Sequence, residues 1–247
     1  MPQKLPEITL AFWIMKICAT TLGETAGDLL SMTFAIGYFF SSLILISFFV
    51  ITLGLQLLSR TYHPFLYWSV ILSTSTAGTT MSDYIDRSLG LGYMKGAAIL
   101  LTLLMSVLGL WRYTTGSLAI QKINNRTSEV FYWIAILFSN TLGTALGDFL
   151  ADSSGLGFLG GALLISGVIT LISLFYYYQI FSHVLLFWAA FILTRPLGAT
   201  MGDLMTKTHA QGGFNLGTKG SSFVLFSTLL IFIIFSHRKS AAARLKD

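Results

Sequence analysis

The 247-residue chain carries 54% hydrophobic and only 10% charged side chains, with a mean hydropathy of +0.75, whereas soluble domains carry about 25% charged residues. This excludes a water-soluble globule and leaves a lipid bilayer as the main solvent. The formal net charge of +5 would suit nucleic acid, but the basic residues sit in short loops and in the tail His237, Arg238, Lys239, Arg244 and Lys246, so they read as topology signals and no nucleic-acid partner is expected.

A helix needs about 20 mostly apolar residues to cross the hydrocarbon. Such windows run over 8–30, 34–58, 65–83, 90–111, 129–150, 157–180, 183–205 and 217–236. They predict an all-α integral membrane protein with eight transmembrane helices in a single membrane domain, 1–247. The first window shares its pattern with later ones and lacks a convincing cleavage site, so it is expected to stay in the mature protein. With the N-terminus inside, interior segments hold Lys4, Arg60, Arg112, Lys122, Arg126 and the tail cations. The outer segments hold Arg87, Lys207 and Lys219, with Lys95 at an outer helix start, which predicts cytoplasmic N- and C-termini. The lone Cys18 excludes an internal disulfide, and His63, His183, His209 and His237 lie near loops or ends, which argues against a His-rich zinc or copper site.

Four segments superimpose without a gap: FWIMKICATTLGETAGD, YWSVILSTSTAGTTMSD, YWIAILFSNTLGTALGD and FWAAFILTRPLGATMGD. They align Trp13, Trp68, Trp133 and Trp188, then Gly23, Gly78, Gly143 and Gly198, then Asp28, Asp83, Asp148 and Asp203. A second glycine opens the second helix of each unit, at Gly37, Gly92, Gly157 and, after a five-residue insertion, Gly217. The repeats are expected at about 8–58, 63–111, 128–180 and 183–236, with a cytoplasmic linker at 112–127 and a basic tail at 237–247. Two spans per unit make all four motif helices cross in the same direction. The Trp spacings of 55, 65 and 55 give a 120-residue period between halves, so we expect parallel repeats with pseudo-symmetry about the membrane normal.

On these Trp, Gly and Asp positions the chain resembles bacterial membrane proteins with four tandem copies of DUF347, a repeat of unknown function with two transmembrane segments and a Trp in each. The resemblance covers nearly the whole chain. It implies the multi-pass architecture in a bacterial inner membrane and leaves the chemistry open.

At 100° per residue, positions 7, 11, 14 and 18 after each Trp share one helix face. That stripe holds Thr20, Glu24, Gly27 and Ser31; Ser75, Thr79, Ser82 and Asp86; Asn140, Thr144, Gly147 and Ala151; and Arg195, Ala199, Gly202 and Thr206. The glycines read as packing positions of the GxxxG kind, or, with Pro196, as breaks that free carbonyls to face an ion. The four Trp read as an aromatic belt at the cytoplasmic interface. Ionisable groups are costly at mid-bilayer, at least about 2.5–3.5 kcal/mol each. From Trp to Asp the units hold Lys16, Glu24, Asp28, Asp83, Asp148, Arg195 and Asp203, a surplus of three negative charges. Lys16 and Arg195 are expected to balance charge, with Glu24 and Asp203 as the suggested partners. A competing placement puts each Asp at the outer helix end, about 22 Å beyond its Trp, where it is wet and caps the turn.

The expected function is therefore a secondary cation transporter, not an enzyme, with a hard divalent metal such as Mn²⁺ as substrate and proton coupling through intramembrane carboxylates. Candidate cation-binding residues are Glu24, Asp28, Asp83, Asp86, Asp148, Asp203, Thr20, Thr79, Asn140 and Thr144, with Glu24, Asp28, Asp83 and Asp148 as metal ligands. No cofactor is expected beyond a bound divalent cation as substrate; the partners are the bilayer, the cation or proton, and a second copy of the chain in a homo-oligomer. The alternatives are an intramembrane enzyme, with an aspartyl protease suggested by the three Gly-Asp pairs, and a non-transporting scaffold or sensor.

Overall fold

The computed structural model describes residues 5–123 and 125–244, with side chains described as far as Arg238. Lys4 and Lys246 lie outside the described residues, as do the side chains of Lys239 and Arg244. The four motif segments form α1 (Leu10–Asp28), α3 (Pro64–Asp83), α5 (Arg126–Asp148) and α7 (His183–Thr206). The second helices are α2 (Tyr38–Leu58), α4 (Gly92–Thr115), α6 (Gly157–Tyr177) and α8 (Gly217–Arg244). No strand is present among the described residues. The linker is shorter than the sequence suggested, because α4 runs to Thr115 and α5 begins at Arg126, and α8 continues into the basic tail.

Local chemistry starts these helices where they start. The side chains of Thr9, Asn125 and Ser182 accept from the backbone N–H groups of Phe12, Ser128 and Leu185, and Pro64 occupies the first turn of α3, where its missing N–H costs nothing. The second glycine of each unit has a physical reason. Gly37, Gly92, Gly157 and Gly217 have φ of 82°, 72°, 67° and 72°, a region that side-chain-bearing residues avoid, and each sits at the turn into the second helix.

α1, α3, α5 and α7 form a closed ring in which α1 and α5 each touch both α3 and α7. Each second helix packs mainly on the first helix of the next unit: α2 on α3, α4 on α5, α6 on α7, and α8 back on α1. The chain is thus interlocked around the ring. Six helices among the described residues are long and apolar enough to cross a membrane: α2, α4, α5, α6, α7 and α8. Their burial separates two roles. Only 22–28% of the apolar window is buried in α2, α4, α6 and α8, against 67% and 61% in α5 and α7. The outer helices turn large side chains such as Phe40, Ile51, Leu101 and Leu163 outward, which suits lipid. α1 and α3 fall outside the six because their ring-facing positions are filled by Thr, Ser, Gly and charged residues, which lower hydropathy without facing lipid.

The ring helices touch through their glycines. A Cβ on Gly23 would collide with Ser75, on Gly78 with the backbone of Asn140, on Gly143 with Arg195, and on Gly198 with Thr20. Gly27, Gly147 and Gly202 meet Thr79, Ala199 and Glu24 one turn further on. The same order in successive pairs means that the ring helices run in parallel. The helices pass through these glycines unbroken, and through Pro196 as well, so the glycines are contact points rather than breaks.

At one end the ring is closed by aromatic side chains. Phe12 packs on Trp68, Tyr67 on Trp133, Tyr132 on Trp188 and Phe187 on Trp13, with centroid separations of 5.7, 5.6, 6.2 and 5.7 Å. Trp68, Trp133 and Trp188 are buried and Trp13 is half-buried, so the tryptophans close the bundle from within instead of forming a headgroup belt. The sequence pattern located the Trp on the helix; the preceding unit's aromatic residue removes it from the interface.

Candidate functional site

From the aromatic end, the first polar layer holds Lys16. It is fully buried, with Nζ 3.5 Å from Asn140 Oδ1 and 4.2 Å from the Phe191 ring centroid. Asn140 Nδ2 donates to Thr74 at 2.9 Å. The suggested pairing of Lys16 with an acid is therefore not what forms: an amide oxygen and an aromatic face hold the ammonium instead.

The second layer is built on Arg195, also fully buried. One of its terminal nitrogens donates to Glu24 Oε2 at 3.0 Å and Thr20 O at 3.4 Å, the other to Ser75 O at 3.2 Å, Thr144 Oγ1 at 2.8 Å and Thr79 Oγ1. One side chain from α7 thus reaches α1, α3 and α5, and its carboxylate partner is Glu24, one of the two acids suggested for Lys16 and Arg195 together. Thr79 also donates to Glu24 at 3.3 Å. The Thr20 hydroxyl is directed at the carbonyls of Lys16, Ile17 and Thr194, which makes it a fastener between α1 and α7.

The third layer gathers the four repeated aspartates. Each lies at or near the end of its ring helix, yet none is wet: exposures are 3% for Asp28, 1% for Asp83, 2% for Asp148 and 4% for Asp203. Two cations tie them into pairs. Arg87 contacts Asp83 at 3.0 Å and Asp148 at 3.1 Å, while Lys207 contacts Asp203 at 3.0 Å and Asp28 at 3.3 Å. The two bridges match residue for residue at the 120-residue period, Asp83, Arg87 and Asp148 corresponding to Asp203, Lys207 and Asp28 of the closed ring.

Arg87 and Lys207, outer topology charges by sequence, are thus members of this buried layer. A signal was present, since each follows its Asp by four residues, one helical turn, the spacing of a stabilising ion pair. They reduce the surplus of three negative charges to one. Lys207 lies just beyond the apolar part of α7. Its burial lowers its pKa, but the Asp203 and Asp28 carboxylates outweigh that and hold it above the ordinary lysine value.

Asp86 is the candidate that leaves the group. A π-helical turn, Tyr84–Ser88, follows α3, and its wider geometry breaks the 100° count that placed Asp86 on the ring face. Its carboxylate accepts from Ser82 at 3.2 Å and lies against Gly96 of α4. Similar π-turns follow Asp28 and Asp148, at Leu29–Thr33 and Phe149–Ser153.

The acids that come closest together are Glu24, Asp28 and Asp203, which offer one oxygen each within 4.8 Å of one another. Oxygens bound to one calcium ion at 2.3–2.6 Å lie about that far apart at most. The set differs from the expected Glu24, Asp28, Asp83 and Asp148: Asp203 joins Glu24 and Asp28, while Asp83 and Asp148 are paired through Arg87.

The repeated ring contacts have a counterpart in known sequences: the model of DUF347, a repeat of unknown function, matches residues 11–62, 66–117, 131–180 and 186–241. The chain belongs to the DUF347 repeat family. No curated protein and no solved structure matches it. The four DUF347 matches each cover one motif helix and its second helix, so the layers above are assembled from all four repeats, with unequal contributions. Repeat four alone supplies Arg195, and repeats two and four supply the bridging cations.

Proposed function

We propose that this DUF347 chain is a secondary transporter of a hard divalent cation such as Mn²⁺, in exchange for or together with protons. The observation that carries the reading is the convergence of Glu24, Asp28 and Asp203 inside the ring, where buried carboxylates need a positive charge. In this reading all eight helices span a bacterial inner membrane with both termini in the cytoplasm, and the repeats are related by pseudo-symmetry about the membrane normal. The aspartate layer then faces outward and the aromatic closure faces the cytoplasm. Between them Glu24 with Arg195, then Lys16, provide groups that can exchange a proton or a counter-charge along the axis.

An aspartic protease is disfavoured by the pairing of the acids. In such a dyad two carboxylates share a proton, whereas here a guanidinium or an ammonium lies between the members of each pair. The test is flux in liposomes containing the full chain, followed with a Mn²⁺-sensitive dye inside and a pH dye. Wild type is expected to move Mn²⁺ with a coupled pH change, and Asp28→Asn and Asp203→Asn to abolish both. Folded protein that moves neither Mn²⁺ nor protons sinks the transporter reading in favour of a scaffold, for which the tight glycine contacts would suffice.

A further inference from the structure

The two bridges of the aspartate layer correspond in sequence but differ in how firmly the cation is held. Arg87 sits between Asp83 and Asp148, donates to a third anchor, the Tyr38 hydroxyl, at 3.3 Å, and lies 6.0 and 5.8 Å from the ring centroids of Tyr38 and Tyr93. Its planar, permanently charged fork suits a fixed bridge. Lys207 has a point charge on a flexible stem, and its ion-pair partners are Asp203 and Asp28.

Their backbone settings differ too. Arg87 lies inside a helical turn, whereas Lys207 ends α7 in extended conformation, with φ −68° and ψ 155°, at the start of the insertion unique to repeat four. That loop folds back on the helix end through Phe214 N to Leu204 O, Asn215 N to Lys207 O and Leu216 N to Met205 O, so the backbone at Lys207 is anchored independently of its ammonium.

Both carboxylates held by Lys207 belong to the Glu24, Asp28 and Asp203 group. Asp28 is 3% exposed, and its Oδ1 has no hydrogen-bond partner among the described residues. Charge also discriminates. With Lys207 and Arg195 present, the three carboxylates retain one negative charge; a divalent cation in place of the ammonium brings the group to zero.

We propose that Lys207 is a resident counter-ion, displaced from Glu24, Asp28 and Asp203 by an incoming hard divalent cation, while Arg87 remains a fixed bridge across the layer. The inference rests on the cation-binding part of the transporter reading and assigns the exchange site to the junction of repeats four and one. On displacement the Lys207 amine moves from the carboxylates into water, still protonated, and no covalent step is involved.

Two measurements on the full chain in detergent test it. The first is thermal stability against Mn²⁺ at constant ionic strength, because a ligand that binds the native state raises its apparent stability. Lys207→Gln removes the competitor and is expected to lower the Mn²⁺ midpoint roughly tenfold, Lys207→Arg to raise it, and Asp28→Asn to remove the response. The second uses wild type alone, so it stands if a variant fails to fold: Mn²⁺ is expected to increase acylation of Lys207 by an amine-directed reagent, read by mass spectrometry. An unchanged or higher midpoint in Lys207→Gln, or Mn²⁺ protection or indifference of Lys207 toward acylation, overturns the proposal. Both readouts are of binding, so a chain that passes them but carries no flux refutes transport alone, and one that carries flux but fails them refutes the Lys207 exchange alone.

Discussion

Replacing Arg195 with Met removes a side chain that links all four ring helices. Arg195 is fully buried and donates to Thr20, Glu24, Ser75, Thr79 and Thr144, so its loss leaves Glu24, 3% exposed, with the Thr79 hydroxyl at 3.3 Å as a remaining donor. Breaking one partner out of a buried ion pair costs about 3–5 kcal/mol, because the other charge is stranded, whereas replacing both partners with apolar groups of similar volume is often near neutral. Arg195→Met is therefore expected to destabilise the chain by about 3–5 kcal/mol. Glu24→Leu strands the guanidinium and falls in the same range. The double variant is expected to be more stable than either sum implies, with a coupling at the upper end of the usual range of about 0.5–3 kcal/mol. Reversible denaturant unfolding of the full chain in mixed micelles measures all three. A cost below about 1 kcal/mol for Arg195→Met, or single costs that simply add, would refute the description of this pair as a buried, mutually dependent unit.

Glycine substitutions are expected to sort by position. Gly198→Ala puts a methyl group 2.5 Å from Thr20 Oγ1 and 2.7 Å from its backbone, an overpacking that costs about 1–3 kcal/mol, whereas Gly54→Ala and Gly109→Ala meet nothing within 4 Å and gain up to about 1 kcal/mol of helix propensity. Equal unfolding costs at all three positions would refute the interlocked ring. Because the folded-state pKa of Lys207 is raised, its ion pairs contribute fully below the ordinary lysine value of about 10.4 and are lost only as pH rises through the higher folded value. The difference in stability between wild type and Lys207→Gln is accordingly expected to be flat from about pH 8 to about pH 10; a fall within that window, in paired melts, contradicts the bridge.

Periodicity and self-comparison made the helices legible. Hydrophobic windows located the helix-forming segments, and recurrence of Trp, Gly and Asp located the four units before any contact was known. The structure adds the local causes: Thr9, Asn125 and Pro64 start their helices, and the second glycine of each unit adopts a positive φ. The partnership of Glu24 with Arg195 was also within reach, because two opposite charges on facing stripes have few other ways to be buried.

What the sequence could not decide is which repeat stands beside which. Ring closure puts repeat four against repeat one, and only that closure brings Lys207 to Asp28 and gathers Glu24, Asp28 and Asp203, residues up to 179 positions apart. The tryptophans show the same division. A helix-end Trp in an apolar sequence fits a headgroup belt and a packed bundle end equally well, since its own helix is the same in both. The aromatic neighbour from the preceding repeat decides it, by taking the indole out of the membrane interface. Asp86 was misplaced for a local reason: a constant 100° per residue holds only while the helix stays α, and the π-turn after Asp83 ends that condition. The repeated sequence alone determined the elements and their order. Tertiary structure determined which charges meet, because burying a carboxylate requires a partner that can come from any part of the chain.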